Sequence, residues 1–273
     1  MTPGHTLIQI TDLHLAPEGA LLRGRVDTAA PFTRALAAVE ASGVDPDALL
    51  FTGDLADAGD APTYGRLRAL VEPLGIPAVY VAGNHDDRAL VREHLMDRPA
   101  DDAPLDHVVR LGRLRVVVLD TTVPGHGHGE LRPAQLEWLA AELAEPAPDG
   151  TVLALHHPPL PTPNRLSQLI ELRDRAALGA VLAGSDARLV LAGHTHVVSA
   201  GAIGGVPVWT GGATSYGSDS LAPDRGERVL MAPAVSRVDL FADSVIVTAV
   251  PVDTTVALTL SGAQVDALAA AQP

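Results

Sequence analysis

Five short segments of this 273-residue chain carry side chains able to bind metals and move protons. They read "TDLH" (Asp12, His14), "TGDLAD" (Asp54, Asp57), "AGNHDD" (Asn84, His85, Asp86), "LHHPP" (His156, His157) and "AGHTH" (His194, His196). Carboxylates, an amide carbonyl and imidazoles, with no cysteine in the chain, form a donor set suited to Zn, Mn, Fe or Co. The set is too large for one tetrahedral ion. It divides into two ions sharing one carboxylate, and paired ions about 3.5–4 Å apart clamp the attacking and leaving oxygens of phosphoryl transfer. Taken singly, each segment has an ordinary reading. Gly-Asp after a strand is a common turn, Asp86 is placed to cap a helix running to about Met96, and His-His-Pro-Pro reads as a loop. Jointly these readings fail, because five independent turns share no reason to carry ligand residue types. In the last segment, two histidines at i and i+2 of an extended chain point to the same side.

The elements that must position these residues are short apolar runs. Strands are expected over Thr6 to Thr11, Ala48 to Thr52, Ala78 to Ala82, Leu114 to Thr121, Thr151 to His156 and Arg188 to Gly193. Helical stripes lie between them: Phe32, Leu36 and Val39, ended by Gly43; Leu67, Leu70, Val71 and Leu74 behind Pro62; Leu136, Leu139 and Leu143 behind Pro133. This alternation implies an α/β fold with a largely parallel sheet, whose strands' carboxyl ends form the ligand-binding rim. Gly53, Gly83 and Gly193, each just before a ligand candidate, let the backbone turn sharply or approach a neighbour closely. After Gly193 the texture changes. "AIGGVPVWTGG", "AVSRVDLF" and "DSVIVTAVPV" read as strands of an antiparallel second sheet, and Ser215 to Pro233 as a long surface loop that could act as a lid or subunit contact. Residues 1–252 are expected to form one domain. The tail, 253–273, is either flexible or a short helix capped by Ser261.

Composition narrows the function. The chain is 47% hydrophobic, carries a formal charge of −14, and draws all its basic residues from Arg. The acidic balance argues against a nucleic-acid surface but allows a small phosphate partner, since bound metal reverses the field locally. The lack of cysteine excludes disulfides and permits a reducing compartment. The opening residues do not read as a signal peptide and no apolar stretch is long enough to span a bilayer, so the expected location is the cytoplasm.

The ordered set Asp12-x-His14, Gly53-Asp54, Gly83-Asn84-His85-Asp86, His156 and Gly193-His194-Thr195-His196 resembles the calcineurin-like metallophosphoesterase superfamily, over about Leu7 to Val250. The runs "FTGDLADAGD", "GNHDDR", "LDTTVPGHGHGEL" and "LALHHPPLP" are similar to its bacterial class III cyclic-nucleotide phosphodiesterases. The resemblance implies a four-layer αββα sandwich of two mixed β-sheets flanked by helices. It implies one metal on Asp12, His14, Asp54 and His196, and a second on Asp54, Asn84, His156 and His194, the ions being iron, manganese or zinc. Asn84, His85 and His196 would contact substrate, with His85 the catalytic residue that steadies the phosphate or protonates the leaving oxygen; imidazole titrates near neutral pH and suits that task. Asp57, Asp86, His157 and Asp120 are expected to support the ligands from behind, while His126 and His128 either line the mouth or belong to a loop. The implied reaction is hydrolysis of a small phosphodiester, a cyclic nucleotide such as cAMP, by a hydroxide held between the ions. Alternatives are a glycerophosphodiesterase or a broad phosphodiesterase or phosphatase on the same site, and a non-catalytic scaffold. The Ser/Thr phosphoprotein phosphatase branch continues Gly-Asp-x-x-Asp with Arg-Gly; here Ala58-Gly59 follows Asp57, which disfavours that branch. The chain could form a homodimer.

Overall fold

Strands that are apolar along their whole length need cover on both faces, and the fold supplies it. The computed structural model describes residues 2–252, 254 and 260–270. In chain order the elements are β1 (His5–Ile10), α1 (Ala29–Ala41), β2 (Ala48–Thr52), α2 (Ala61–Val71), β3 (Ala78–Val81), α3 (Arg88–Leu95), β4 (His107–Leu111) and β5 (Leu114–Leu119). The short strands β6 (Thr122–Val123) and β7 (His126–Gly129) follow, then α4 (Pro133–Leu143), β8 (Thr151–Leu155), α5 (Arg165–Gln168), α6 (Arg175–Leu182) and β9 (Ala187–Ala192). The last part holds β10 (Ser199–Ile203), β11 (Val206–Thr210), β12 (Gly217–Ser218), β13 (Val229–Leu230), β14 (Ala234–Leu240), β15 (Val245–Pro251) and α7 (Gly262–Ala270).

Two mixed sheets result, in the orders β15-β14-β1-β2-β3 and β10-β11-β9-β8-β5-β4. Alternate side chains of each strand go to opposite layers. Leu7, Leu50 and Val81 meet Val116, Ala154 and Leu191 between the sheets. Phe51 and Ile10 turn outward to Phe32, Tyr64 and Val91 of α1 to α3. Leu153 and Val190 turn outward to Leu139 of α4 and Leu178 of α6. Each such buried Leu or Phe contributes roughly 1.5–3 kcal/mol, which favours this layering over one open sheet. The six strands expected to share a largely parallel sheet are therefore divided: β1 to β3 in one, β5, β8 and β9 in the other. Strands β10, β11, β14 and β15 do not form a sheet of their own. β11 joins β9 in parallel, and β14 lies antiparallel to β1.

The sheets are tied at both ends. At the carboxyl ends of the parallel strands, the Gln9 amide donates to Thr52 Oγ1 in its own sheet and to the Ala192 carbonyl in the other. At the opposite end, His5 stands between Asp47 and Asp149, 3.3 and 3.1 Å away, which precede β2 and β8.

Local signals act as expected in several places. Asp60 caps α2 ahead of Pro62, Pro133 opens α4, and Gly43 follows α1 with φ +68°. The cap of α3 is Asp87, whose side chain accepts the Leu90 N–H; Asp86 is turned inward instead. The segment 215–233 is not a plain loop, since β12 and β13 pair within it. Ser261 Oγ accepts the Gln264 N–H at the start of α7. The rest of the expected tail, residues 253, 255–259 and 271–273, lies outside the described residues. Among the described residues no helix is long and apolar enough to cross a membrane.

Candidate metal centre

The strands end at the seam between the sheets, and the metal-binding residue types follow directly. Asp12 and His14 leave β1, Asp54 leaves β2, Asn84 leaves β3, His156 follows β8, and His194 and His196 leave β9. The first four come from one sheet and the last three from the other. Nine non-glycine residues among those described have positive φ, and five of them are Asp12, His14, Asp54, His194 and His196. Such a conformation costs on the order of 1–3 kcal/mol and persists where the surroundings impose it. His194 and His196 thus do not share a side of an extended chain, as their spacing suggested; two left-handed residues aim them separately. Glycines make the room. A Cβ on Gly53 would stand 2.6 Å from His156 Cγ, and one on Gly193 would stand 2.6 Å from Asp12 Oδ2.

The donor atoms form two sets. In the first, His14 Nε2 lies 3.1 Å from His196 Nε2 and 3.4 Å from Asp54 Oδ2, and His196 Nε2 lies 3.5 Å from Asp12 Oδ1. In the second, His156 Nε2 lies 3.4 Å from Asp54 Oδ1, 3.2 Å from Asn84 Oδ1 and 3.2 Å from His194 Nδ1. Asp54 turns one carboxylate oxygen to each set. Donors bonded to one ion at about 2.1 Å and 90–109° apart stand roughly 3.0–3.4 Å from each other, so this spacing fits metal ligands.

The far nitrogen of every ring is already engaged. His14 Nδ1–H donates to Asp57, His156 Nδ1–H to the Thr52 carbonyl, His194 Nε2–H to the Ile170 carbonyl and His196 Nδ1–H to the Tyr216 carbonyl. These bonds fix the tautomers and point the inner lone pairs at one another. Lone pairs facing at 3.1–3.2 Å need a cation between them.

The electrostatics agree. Burial, and then the charge of His156, holds His194 down at about 4. Burial and His14 hold His196 down at about 3. Both are therefore neutral donors at physiological pH. Burial works against charge on His156, yet Asp54 and Asp12 outweigh it and raise the imidazole to about 9. Burial likewise opposes charge on His14, but Asp57, Asp54 and Asp12 raise it. Without metal, the proton held by His156 stands in the second set where an ion would. Because the His156 proton is held up to about 9, a metal must displace it at neutral pH, and less displacement is needed as pH rises through that value. Calorimetry of metal binding in buffers of different ionisation enthalpy is expected to show proton release near neutral pH, declining above about 9. Binding without proton release would contradict this.

The model for calcineurin-like phosphoesterases matches residues 5–198, a span that contains every one of these donors. The chain belongs to the calcineurin-like phosphoesterase family. It is 49% identical over 230 residues to a cAMP/cGMP dual specificity phosphodiesterase of Mycobacterium tuberculosis, covering 83% of this chain and 72% of that one. It is 34% identical over 193 residues to a 3′,5′-cyclic adenosine monophosphate phosphodiesterase of Pseudomonas aeruginosa, covering 70% and 69%. A purple acid phosphatase from yellow lupin superposes with a TM-score of 0.71 over 92% of this chain and 52% of its own, at 12% identity, a likeness of fold.

In this phosphoesterase the residues behind the donors have distinct tasks. Asp86 accepts the backbone N–H groups of Leu55, Ala56 and Gly83 and the Tyr64 hydroxyl, stapling the turns after β2 and β3 together. Asp57 holds His14, with His85 Nδ1 3.5 Å away. His157 is buried against His194 at a ring separation of 4.3 Å, but its own nitrogens are taken by Thr121 Oγ1 and the Gly127 carbonyl, so it walls the site and has no nitrogen to offer an ion. Asp120 touches no ligand; it pairs with Arg88 and accepts N–H groups of Leu105 and Thr122. His126 and His128 lie on β7 and do not line the cleft, with His128 bonded to Glu130. The cleft above the donors is lined by Asn84, His85, Leu166, Ile170 and Tyr216, with Arg23, Glu227 and Val229 at its rim. Sequence reasoning missed Ile170 and Tyr216: Ile170 contributes a backbone carbonyl that any residue could supply, and Tyr216 adds to its carbonyl a ring 4.3 Å from that of His196, which only the fold brings there.

Proposed function

We propose that this phosphoesterase is a metal-dependent phosphodiesterase acting on a cyclic nucleotide, with cAMP the first substrate to test. Asp12, His14, Asp54 and His196 hold one ion, and Asp54, Asn84, His156 and His194 the other. The observation that carries the reading is Asp54, with one oxygen 3.4 Å from a histidine of each set. Bound metals of the iron, manganese or zinc type supply Lewis acidity and a water whose pKa falls from 15.7 towards about 7. The diester class is supported by relatives at up to 49% identity that carry cyclic-nucleotide phosphodiesterase names. Elemental analysis, with turnover of 3′,5′-cAMP, 2′,3′-cAMP and glycerophosphodiesters on the same preparation, tests it. Preference for a glycerophosphodiester would overturn the cyclic-nucleotide reading.

His85 is the residue that acts on the phosphate or leaving-group side. Its backbone N–H holds Asp54 Oδ1 at 3.0 Å, and its Nδ1–H donates to the Asp57 carbonyl at 2.9 Å. The ring borders the cleft, so Nε2 is left for substrate. His85→Ala is expected to keep both metals by elemental analysis and lose about 10²–10⁴-fold in turnover, the range for a general acid or base. Unchanged turnover would remove His85 from the reaction.

A further inference from the structure

Arg23 is the sole arginine bordering the cleft among the described residues, in a chain with a formal charge of −14. It comes from the loop between β1 and α1. The Arg25 N–H donates to the Leu22 carbonyl at 3.1 Å, and the two central residues, Arg23 and Gly24, have φ of +50° and +68°. Positive φ at both centres makes this a type I′ turn. Reciprocal backbone bonds between Leu22 and Val26 close it, and Leu22 is buried. The turn is therefore held, and at one central position it carries an arginine in a conformation that glycine adopts without cost. Outside the ligands, Arg23 is the cleft-lining residue that shares their left-handed backbone.

The side chain is exposed and makes no hydrogen bond or ion pair with the described residues, although its charge acts on Asp57 and Tyr216. No basic residue comes from the turn after Asp57, where Ala58 and Gly59 follow. A guanidinium offers a planar fork of donors that matches two phosphate oxygens.

We propose that Arg23 contacts the phosphate group of the bound substrate and of the phosphomonoester product, fixing its orientation over the donors. The inference rests on the phosphoester reading of the cleft. It predicts that the product, which carries more negative charge than the diester, depends on Arg23 more than the substrate does.

The test is calorimetric titration of manganese-loaded protein with inorganic phosphate, beside turnover of cAMP. Arg23→Ala is expected to weaken phosphate binding about 10–100-fold, the value of a charged hydrogen-bonded contact, with manganese stoichiometry unchanged. Arg23→Gly removes both the guanidinium and the backbone strain. It is expected to raise the thermal midpoint while losing the same affinity, a split that a merely structural role would not give. Arg25→Ala, on the same hairpin but outside the cleft lining, is expected to bind phosphate as the parent does. Phosphate affinity of Arg23→Ala within about twofold of the parent overturns the proposal, as does an equal loss in Arg25→Ala, which would indicate a diffuse surface field. A parent protein inert towards cyclic nucleotides whose phosphate affinity still falls with Arg23 would overturn the substrate reading and leave Arg23 in place.

Discussion

Asp54→Ala is expected to lose both metals and to lower phosphodiester turnover on the order of 10³-fold or more. Asp54 is the one side chain with an oxygen in each donor set, Oδ2 towards His14 and Oδ1 towards His156. Its removal leaves the first set with Asp12, His14 and His196 and the second with Asn84, His156 and His194, so the second would bring no negative charge to its ion. The backbone suffers as well, because His85 N–H loses its acceptor. In the metal-free protein the neighbouring histidines hold Asp54 ionised well below the usual carboxylate range, against the cost of burial. Without it, His156 loses the main charge that raises it to about 9, while Asp57 and Asp12 still raise His14. Asp54→Asn keeps the shape and one carbonyl donor, so it is expected to retain at most one ion. Elemental analysis of both variants decides: two ions bound to Asp54→Ala would show that the carboxylate does not bridge.

Gly53→Ala is expected to cost on the order of 3–5 kcal/mol of stability and to inactivate what still folds. Two effects combine. The residue has φ +96°, where a side chain is strained, and its Cβ would drive into the His156 ring and approach Gly83 Cα at 3.0 Å. The strain destabilises the fold; the clash pushes a proposed ligand off its Thr52 anchor. Thermal or denaturant unfolding measures the first, and metal stoichiometry the second. Near-parental stability with full metal content would mean that the turn after β2 can give way. The contrast with Arg23→Gly is instructive, since there glycine enters a left-handed position and here it leaves one.

What the sequence discloses differs between the two levels of structure. Strand ends such as Ala48–Thr52 were legible because uninterrupted apolar runs stop where polar residues begin. The candidate donors were legible because metal chemistry restricts residue types. Which sheet a strand joins was not, since β1 to β3 and β5, β8 and β9 are equally apolar, and only pairing across long separations sorts them. The short β12–β13 ladder and the four-residue α5 carry no period to detect. The aim of His194 and His196 was also hidden, because left-handed φ at histidine has no local signature. Asp86 and Asp87 are adjacent identical residues with opposite tasks, one facing inward to bind turns and the other capping α3; only tertiary packing tells them apart.

The placement of the donors at the seam has a mechanical side. Asp12 and His196 stand at far-separated points of the chain and on different sheets, as do Asn84 and His156. An ion bound between them closes long loops in the way a cross-link does, restricting the unfolded chain and fastening layer to layer. This protein has no cysteine and no disulfide to serve that purpose. Its cofactor would then be a rivet as well as a reagent, and the left-handed conformations of five proposed ligands would be strain that the bound ion helps to hold.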